Sequence, residues 1–309
     1  MEMKQEMWMK EMEACQLCPR NCRVNRSAGQ TGFCGQSAVI KAARAALHMW
    51  EEPCISGEKG SGTVFFSGCP LQCVFCQNHE IAVSRSGAEI SVGRLAEIFL
   101  ELQEKHAANI NLVTPGHFVP QIIEAVTKAR NQGLSLPIVY NTGSYEKAET
   151  IRRLEGIVDI YLPDFKYWDE KIGERYADAA DYRKYACDAI REMVRQTGPC
   201  RFDEEGYLKQ GVLVRHLVLP GNTADSKKII HYLYETYGDN IYISIMNQYT
   251  PVIAKEAFPE LARRLTEEEY DEVVDDAIAL GVENGFIQEG ETAEESFIPP
   301  FDYEGILSN

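Results

Sequence analysis

The stretch Gly68-Cys69-Pro70-Leu71-Gln72-Cys73-Val74-Phe75-Cys76-Gln77-Asn78 spaces three cysteines as C-x3-C-x2-C, just after the apolar run Thr63-Val64-Phe65-Phe66. A strand that ends in a cysteine loop gathers three thiolates on one rim, facing the same point. A closed tetrahedral zinc site takes four ligands, so three thiolates leave it one short. Three suit a [4Fe–4S] cluster in which three irons carry Cys sulfur and the fourth stays open. A zinc site completed by His79, or a set of buried structural thiols, is the plainer reading of the same residues.

With Phe75 directly before the last cysteine, the stretch resembles the signature of the radical S-adenosylmethionine (SAM) superfamily. The resemblance implies that the methionyl amine and carboxylate of SAM chelate the open iron. It also implies a low-potential electron donor of flavodoxin or ferredoxin type. Reduction would break the sulfonium into methionine and a 5′-deoxyadenosyl radical that abstracts hydrogen from an unreactive C–H bond. The cofactor carries that step, and the protein orients the reactants and excludes water.

Outward from the cysteine loop, strand and helix signals alternate. Runs at 62–67, 109–113, 136–141, 157–163, 211–219 and 240–246 are short, β-branched or aromatic, and bounded by Gly, Pro or Asn. Leu95, Ile98, Phe99 and Leu102 recur at helical spacing, as do Ile122, Ile123, Val126 and Ala129. Further helices are expected at 147–154, 181–195, 225–237 and 266–280, the last opening on a Thr266/Glu269 capping box. The segment 200–210 reads as a hairpin excursion before the fifth strand. Alternating β and α units imply an α/β fold with a parallel sheet. Six units are too few for a closed eight-stranded barrel, and they fit the partial (β/α)6 barrel that the resemblance implies over residues 62–290.

Ahead of the barrel, Cys15, Cys18, Cys22 and Cys34 form a C-x2-C-x3-C-x11-C set among turn residues. Four such ligands fit either structural zinc or an iron–sulfur centre. Reduced thiols in a small core are the alternative, although so short and polar a segment has little core without a metal. Residues 1–61 therefore read as a small Cys-rich module plus linker. A weak helical pattern with Met3, Met7 and Trp8 covers the first fourteen residues. The linker, 36–61, holds His48, Glu51, Glu52 and Cys54, which either line a substrate mouth, with Cys54 as an alternative metal contact, or simply cap and pack a loop punctuated by Pro53 and Gly57. Residues 291–309 form a tail that either folds over the barrel or frays.

In parallel β/α folds, working residues sit where strands end. The second strand is followed by Thr114-Pro115-Gly116-His117, where the superfamily commonly carries a Gly-Gly-Glu-like loop for the SAM amine. The missing acid leaves that contact to backbone carbonyls or His117. Asn141-Thr142-Gly143-Ser144 would meet the ribose, and Gln248 the adenine or the substrate. Asp164-Phe165-Lys166 resembles the Asp-x-Lys of glycyl-radical-enzyme activases, where it helps to hold the SAM carboxylate. His216, with the Pro220-Gly221 turn beyond it, completes the set. Taken together, the chain resembles the pyruvate formate-lyase activating enzyme-like group, in a branch with an N-terminal four-cysteine module. That implies hydrogen abstraction from a glycine in a partner enzyme. Modification of another peptide, cofactor or small molecule is the alternative, and a non-catalytic iron–sulfur or zinc protein the alternative from another class.

Composition narrows the partners. The 309 residues carry 31 basic and 47 acidic side chains, a net charge of −16, and no basic block that could track a phosphate backbone. That argues against nucleic acid and anionic membranes. Ten cysteines with no apolar leader point to metal or redox chemistry rather than disulfides, and to a cytoplasmic protein.

Overall fold

The computed structural model describes residues 8–251, 257–288 and 299–307. Its strands are β1 (Ile40–His48), β2 (Ser61–Phe66), β3 (Ala88–Ile90), β4 (Ile110–Val113), β5 (Ile138–Thr142), β6 (Ile160–Pro163), β7 (Arg201–Phe202), β8 (Leu208–Leu217), β9 (Tyr242–Met246) and β10 (Gly285–Ile287). The six apolar runs seen in the sequence become the parallel neighbours β2-β4-β5-β6-β8-β9. The short β10 adds a further parallel strand beside β9. Among the described residues the sheet runs β10-β9-β8-β6-β5-β4-β2-β1-β3, with β7 hairpinned onto β8. Its two ends do not meet, so it forms an open, partial barrel.

Helices form where an apolar stripe and a cap coincide. Val92–Glu104 buries Leu95, Ile98, Phe99 and Leu102, and the Ser91 hydroxyl accepts from the Arg94 N–H at its start. Val119–Asn131 begins with Pro120 in its first turn, where a missing N–H costs nothing. Glu267–Leu280 opens on the anticipated Thr266/Glu269 capping box. The helix Glu170–Ala177 had no clear periodic signal. It is started by Asp169, whose carboxylate accepts from the Lys171 N–H.

Residues 36–61, read as a linker, contain the nine-residue strand β1, antiparallel to β2 and β3. Its sequence, Ile-Lys-Ala-Ala-Arg-Ala-Ala-Leu-His, is poor in β-formers. Ala42, Ala43 and Ala45 are fully or almost fully buried, so the strand is held by its neighbours rather than by propensity. The part of the tail that is described folds over this strand. Tyr303 N–H donates to Ala43 O and Ala45 N–H to Glu304 O, while Phe301 packs edge-on against Phe65.

The two-residue period of the strands sorts side chains into an outer and an inner set. Tyr140 and Tyr161 face the helices within the main core. Inside, Cys54, Ile55, Val139, Ile160, Leu162, Leu208 and Leu213 make an apolar plug. One step further along the same strands the inner positions turn polar: Asn141 follows Val139, Asp164 follows Leu162, and Arg215 follows Leu213.

Candidate active site

Above that plug, the loop that follows β2 carries Cys69, Cys73 and Cys76 onto the wall of one cavity with about 1190 Å³ of empty space, its mouth included. Two tight features aim the loop. Gly68 sits at φ +86°, and a Cβ there would stand 2.4 Å from the Cys34 carbonyl. Gln72 holds φ +49°, a conformation that non-glycine residues seldom adopt. Phe75 is buried against Tyr167, Tyr176 and Tyr249 and fills the space between the thiols and the outer helices.

Burial pushes the Cys69 thiol up to about 11 and the Cys76 thiol to about 12, and it raises Cys73 as well. Three thiols crowded together and shielded from water ionise only if a cation takes the charge. Lys166 supplies part of that field. An iron–sulfur cluster would supply the rest, so the donor set fits such a group.

Below the thiols lies a buried charge network. Asp164 accepts from Lys166 Nζ at 2.9 Å and from Arg215 at 2.8 Å. Arg215 also meets Glu51 at 2.8 Å and donates to Asn141 Oδ1 at 2.9 Å. Burial disfavours each of these charges, yet Arg215 and Lys166 hold the Asp164 carboxyl below its usual range. Burial likewise opposes the charges of Lys166 and Arg215, but their carboxylate partners keep both firmly protonated. Glu52, next to Glu51, is raised by burial and accepts from Ser244 Oγ at 2.9 Å. The same cavity reaches Trp50, which is 61% exposed, and a neighbouring hollow continues past Trp50 and Glu51 to Phe286 and Ile287.

Of the residues singled out in the sequence, Cys69, Cys73, Cys76, Phe75, Thr114, Asn141, Asp164, Lys166 and Gln248 line this cavity. Gly116, His117, Thr142 and His216 are not among its lining residues. Thr142 and Gly116 instead flank Glu146: Thr142 Oγ1 lies 2.8 Å from its carboxylate, and a Cβ on Gly116 would meet it at 2.3 Å. His216, one step along β8 from Arg215, points its Nδ1 at Phe165 O, 2.7 Å away. His117 lies beside the four N-terminal cysteines, with Nε2 2.7 Å from Ser67 O. The Gly221 N–H is taken by Glu269.

Glu51 and His48, read as candidates for a substrate mouth, also line the cavity, whereas Arg215 was given no role. A lone arginine inside the apolar run Val-Leu-Val-Arg-His-Leu-Val was the available signal, because a charge there needs a buried partner. Cys54, by contrast, is a packing residue of the interior plug. Among the described residues, no three His, Cys, Asp or Glu side chains converge as ligands of a single ion.

The sequence signature of the Radical SAM superfamily matches residues 63–233, from β2 through the helix that follows β8. The chain belongs to the radical SAM superfamily. Membership makes it one of a family of enzymes and implies a [4Fe–4S] cluster and SAM as cofactors. An uncharacterized protein of Methanocaldococcus jannaschii, MJ0674, is 27% identical over 283 residues, covering 89% of this chain and 77% of its own. Among solved structures, SuiB of Streptococcus suis is 12% identical with a TM-score of 0.47 over 74% of this chain. Methylornithine synthase (PylB) is 14% identical with a TM-score of 0.39, covering 71% of this chain and 68% of its own. The chain spans about half of SuiB, 48% of its length. No helix among the described residues is long and apolar enough to cross a membrane.

Proposed function

We propose that Cys69, Cys73 and Cys76 hold a [4Fe–4S] cluster, and that SAM occupies the cavity beside it. The substrate on this reading is an extended peptide segment of a partner protein, as for pyruvate formate-lyase activating enzymes acting on glycyl radical enzymes. One observation carries the reading: the thiols of Cys69, Cys73 and Cys76 and the Asp164–Lys166 pair line a single cavity that opens outward beside Trp50. When bound, the cluster and SAM supply an electron and a 5′-deoxyadenosyl radical; a flavodoxin- or ferredoxin-type partner would deliver the electron.

The chain's own residues do the rest. Lys166 offers a cation to the SAM carboxylate, and Asp164 keeps that amine protonated and aimed. Asn141 and the Gly143 backbone would take the ribose hydroxyls, and Gln248 the adenine or the substrate. Phe75 and its ring of tyrosines exclude water from behind the thiols. On this reading the hollow beyond Trp50, lined by Glu51, Phe286 and Ile287, would take the peptide segment. A small anionic substrate is disfavoured because Arg215 is already committed to Glu51 and Asp164.

Anaerobic reconstitution with iron and sulfide, then reductant and SAM, tests the reading through 5′-deoxyadenosine. Product from wild type and none from Cys73→Ala supports it. A fully loaded protein that neither binds SAM nor forms product overturns it in favour of a non-catalytic iron–sulfur or zinc protein. Mixing the active protein with glycyl radical enzymes and recording EPR decides the target. If 5′-deoxyadenosine forms but no glycyl radical appears with any partner, the activase assignment fails and another peptide, cofactor or small molecule is the substrate.

A further inference from the structure

A second group of cysteines lies outside the cavity of the first. Cys15, Cys18, Cys22 and Cys34 line one small cavity beside Leu17 and Val24, with about 320 Å³ of empty space, its opening included. We propose that these four cysteines hold an iron–sulfur cluster, a second centre in the molecule, with Arg26 and His117 as its polar surroundings.

Charge makes the first argument. Arg26 is 1% exposed, and among the described residues no carboxylate pairs with it. Its guanidinium donates to the carbonyls of Ser37 and His117, both at 2.7 Å, and approaches Cys15 Sγ at 3.6 Å. A fully buried cation without a counter-ion is costly, and carbonyl dipoles offset only part of the cost. A metal centre with four thiolates is net anionic and supplies the missing charge at the place where the guanidinium already meets sulfur.

His117 makes the second. It lines the same cavity, is 2% exposed, and its Nδ1 has no hydrogen-bond partner. Buried polar atoms of this kind are rare in native proteins and call for a ligand or a solvent molecule. Ser67 O can only accept, so Nε2 carries the ring proton and Nδ1 presents a lone pair, which a metal or a proton donor would satisfy. Cys22 Sγ already accepts the Phe33 N–H at 3.3 Å.

Four thiolates suit a tetrahedral zinc as well as a cluster, and acid-labile sulfide separates the two.

The test uses the full chain with Cys69, Cys73 and Cys76 all changed to Ser, reconstituted anaerobically with ferrous iron and sulfide. Iron, acid-labile sulfide, zinc and the EPR spectrum after reduction are measured. Retention of about half the wild-type iron and sulfide, with an EPR signal that SAM does not alter, is the expected result. The complementary variant, Cys15, Cys18, Cys22 and Cys34 to Ser, should lose that signal and keep the SAM-sensitive one. Should it fail to fold, the single Cys22→Ser variant replaces it, with an altered or lost SAM-insensitive signal expected. One zinc per chain without sulfide overturns the proposal, as does a triple variant with neither metal nor sulfide. Because the triple variant lacks the first site, the outcome is independent of whether the wild type cleaves SAM.

Discussion

Arg215 binds the interior of the barrel together. It is the shared partner of Glu51, Asp164 and Asn141, three residues from three separate segments. Arg215→Met removes the charge while keeping much of the volume; it leaves Glu51 without its cation and Asp164 with Lys166 alone. Breaking one partner of a buried pair costs about 3–5 kcal/mol. Chemical unfolding should register that loss, and adding Glu51→Gln should recover part of it, since the second change removes the orphaned charge. Glu146 is a second buried group with a measurable consequence. It is 2% exposed, and burial pushes its carboxyl up to about 7, against the hydrogen bonds from Thr142 and Tyr140. A raised carboxyl means that the folded state binds the proton more tightly than the unfolded chain. Stability should therefore fall as pH rises from about 4.5 through about 7, by about 3 kcal/mol in all. Urea midpoints at pH 5 and pH 8 should show that slope in wild type and its absence in Glu146→Gln.

Among the elements, β1 is the one whose existence depends most on its surroundings. From Ala42 to His48 it pairs with β2 on one side, while β3 covers only Ile40–Ala42 on the other. The tail segment takes over from there, bonding Ala43 and Ala45 and burying Ile306 completely. Arg44 pairs with Asp302 at 2.7 Å and also with Glu304. Removing residues 299–309 should bare an unpaired edge next to Phe65, and such edges recruit other chains. Light scattering after size exclusion should then show oligomers that the full chain does not form. The α-helix Glu267–Leu280 is the opposite case, with its start written in local chemistry. Thr266→Ala removes the hydroxyl that caps Glu269 N–H and should cost about 1 kcal/mol in thermal or chemical unfolding.

Across the whole molecule, the two cysteine loops are joined. Arg20, from the N-terminal loop, donates to Pro70 O at 2.8 Å and to Ala177 O at 2.7 Å, while stacking 3.7 Å over Phe33. Gln72 returns the contact by donating to Phe33 O at 2.7 Å. Metal bound at either loop is therefore coupled to the packing of the other, and binding energy adds to folding stability. Anaerobic chelation should lower the melting temperature of the reconstituted protein, by roughly 2–4 °C for each kcal/mol of binding lost. The six parallel strands, their helices and both cysteine sets could be read from the chain, because period, turn residues and ligand spacing are local properties. So could nine of the side chains that line the cavity, since strand ends in a parallel sheet converge on one rim. Four matters were beyond such reading: the alanine strand β1, the inward turn of Arg215, the outward turn of His216, and the placement of His117 beside the N-terminal cysteines. Each depends on which face of a strand or loop meets which neighbour. A one-residue step reverses that face, and only the packing of distant segments against one another sets it.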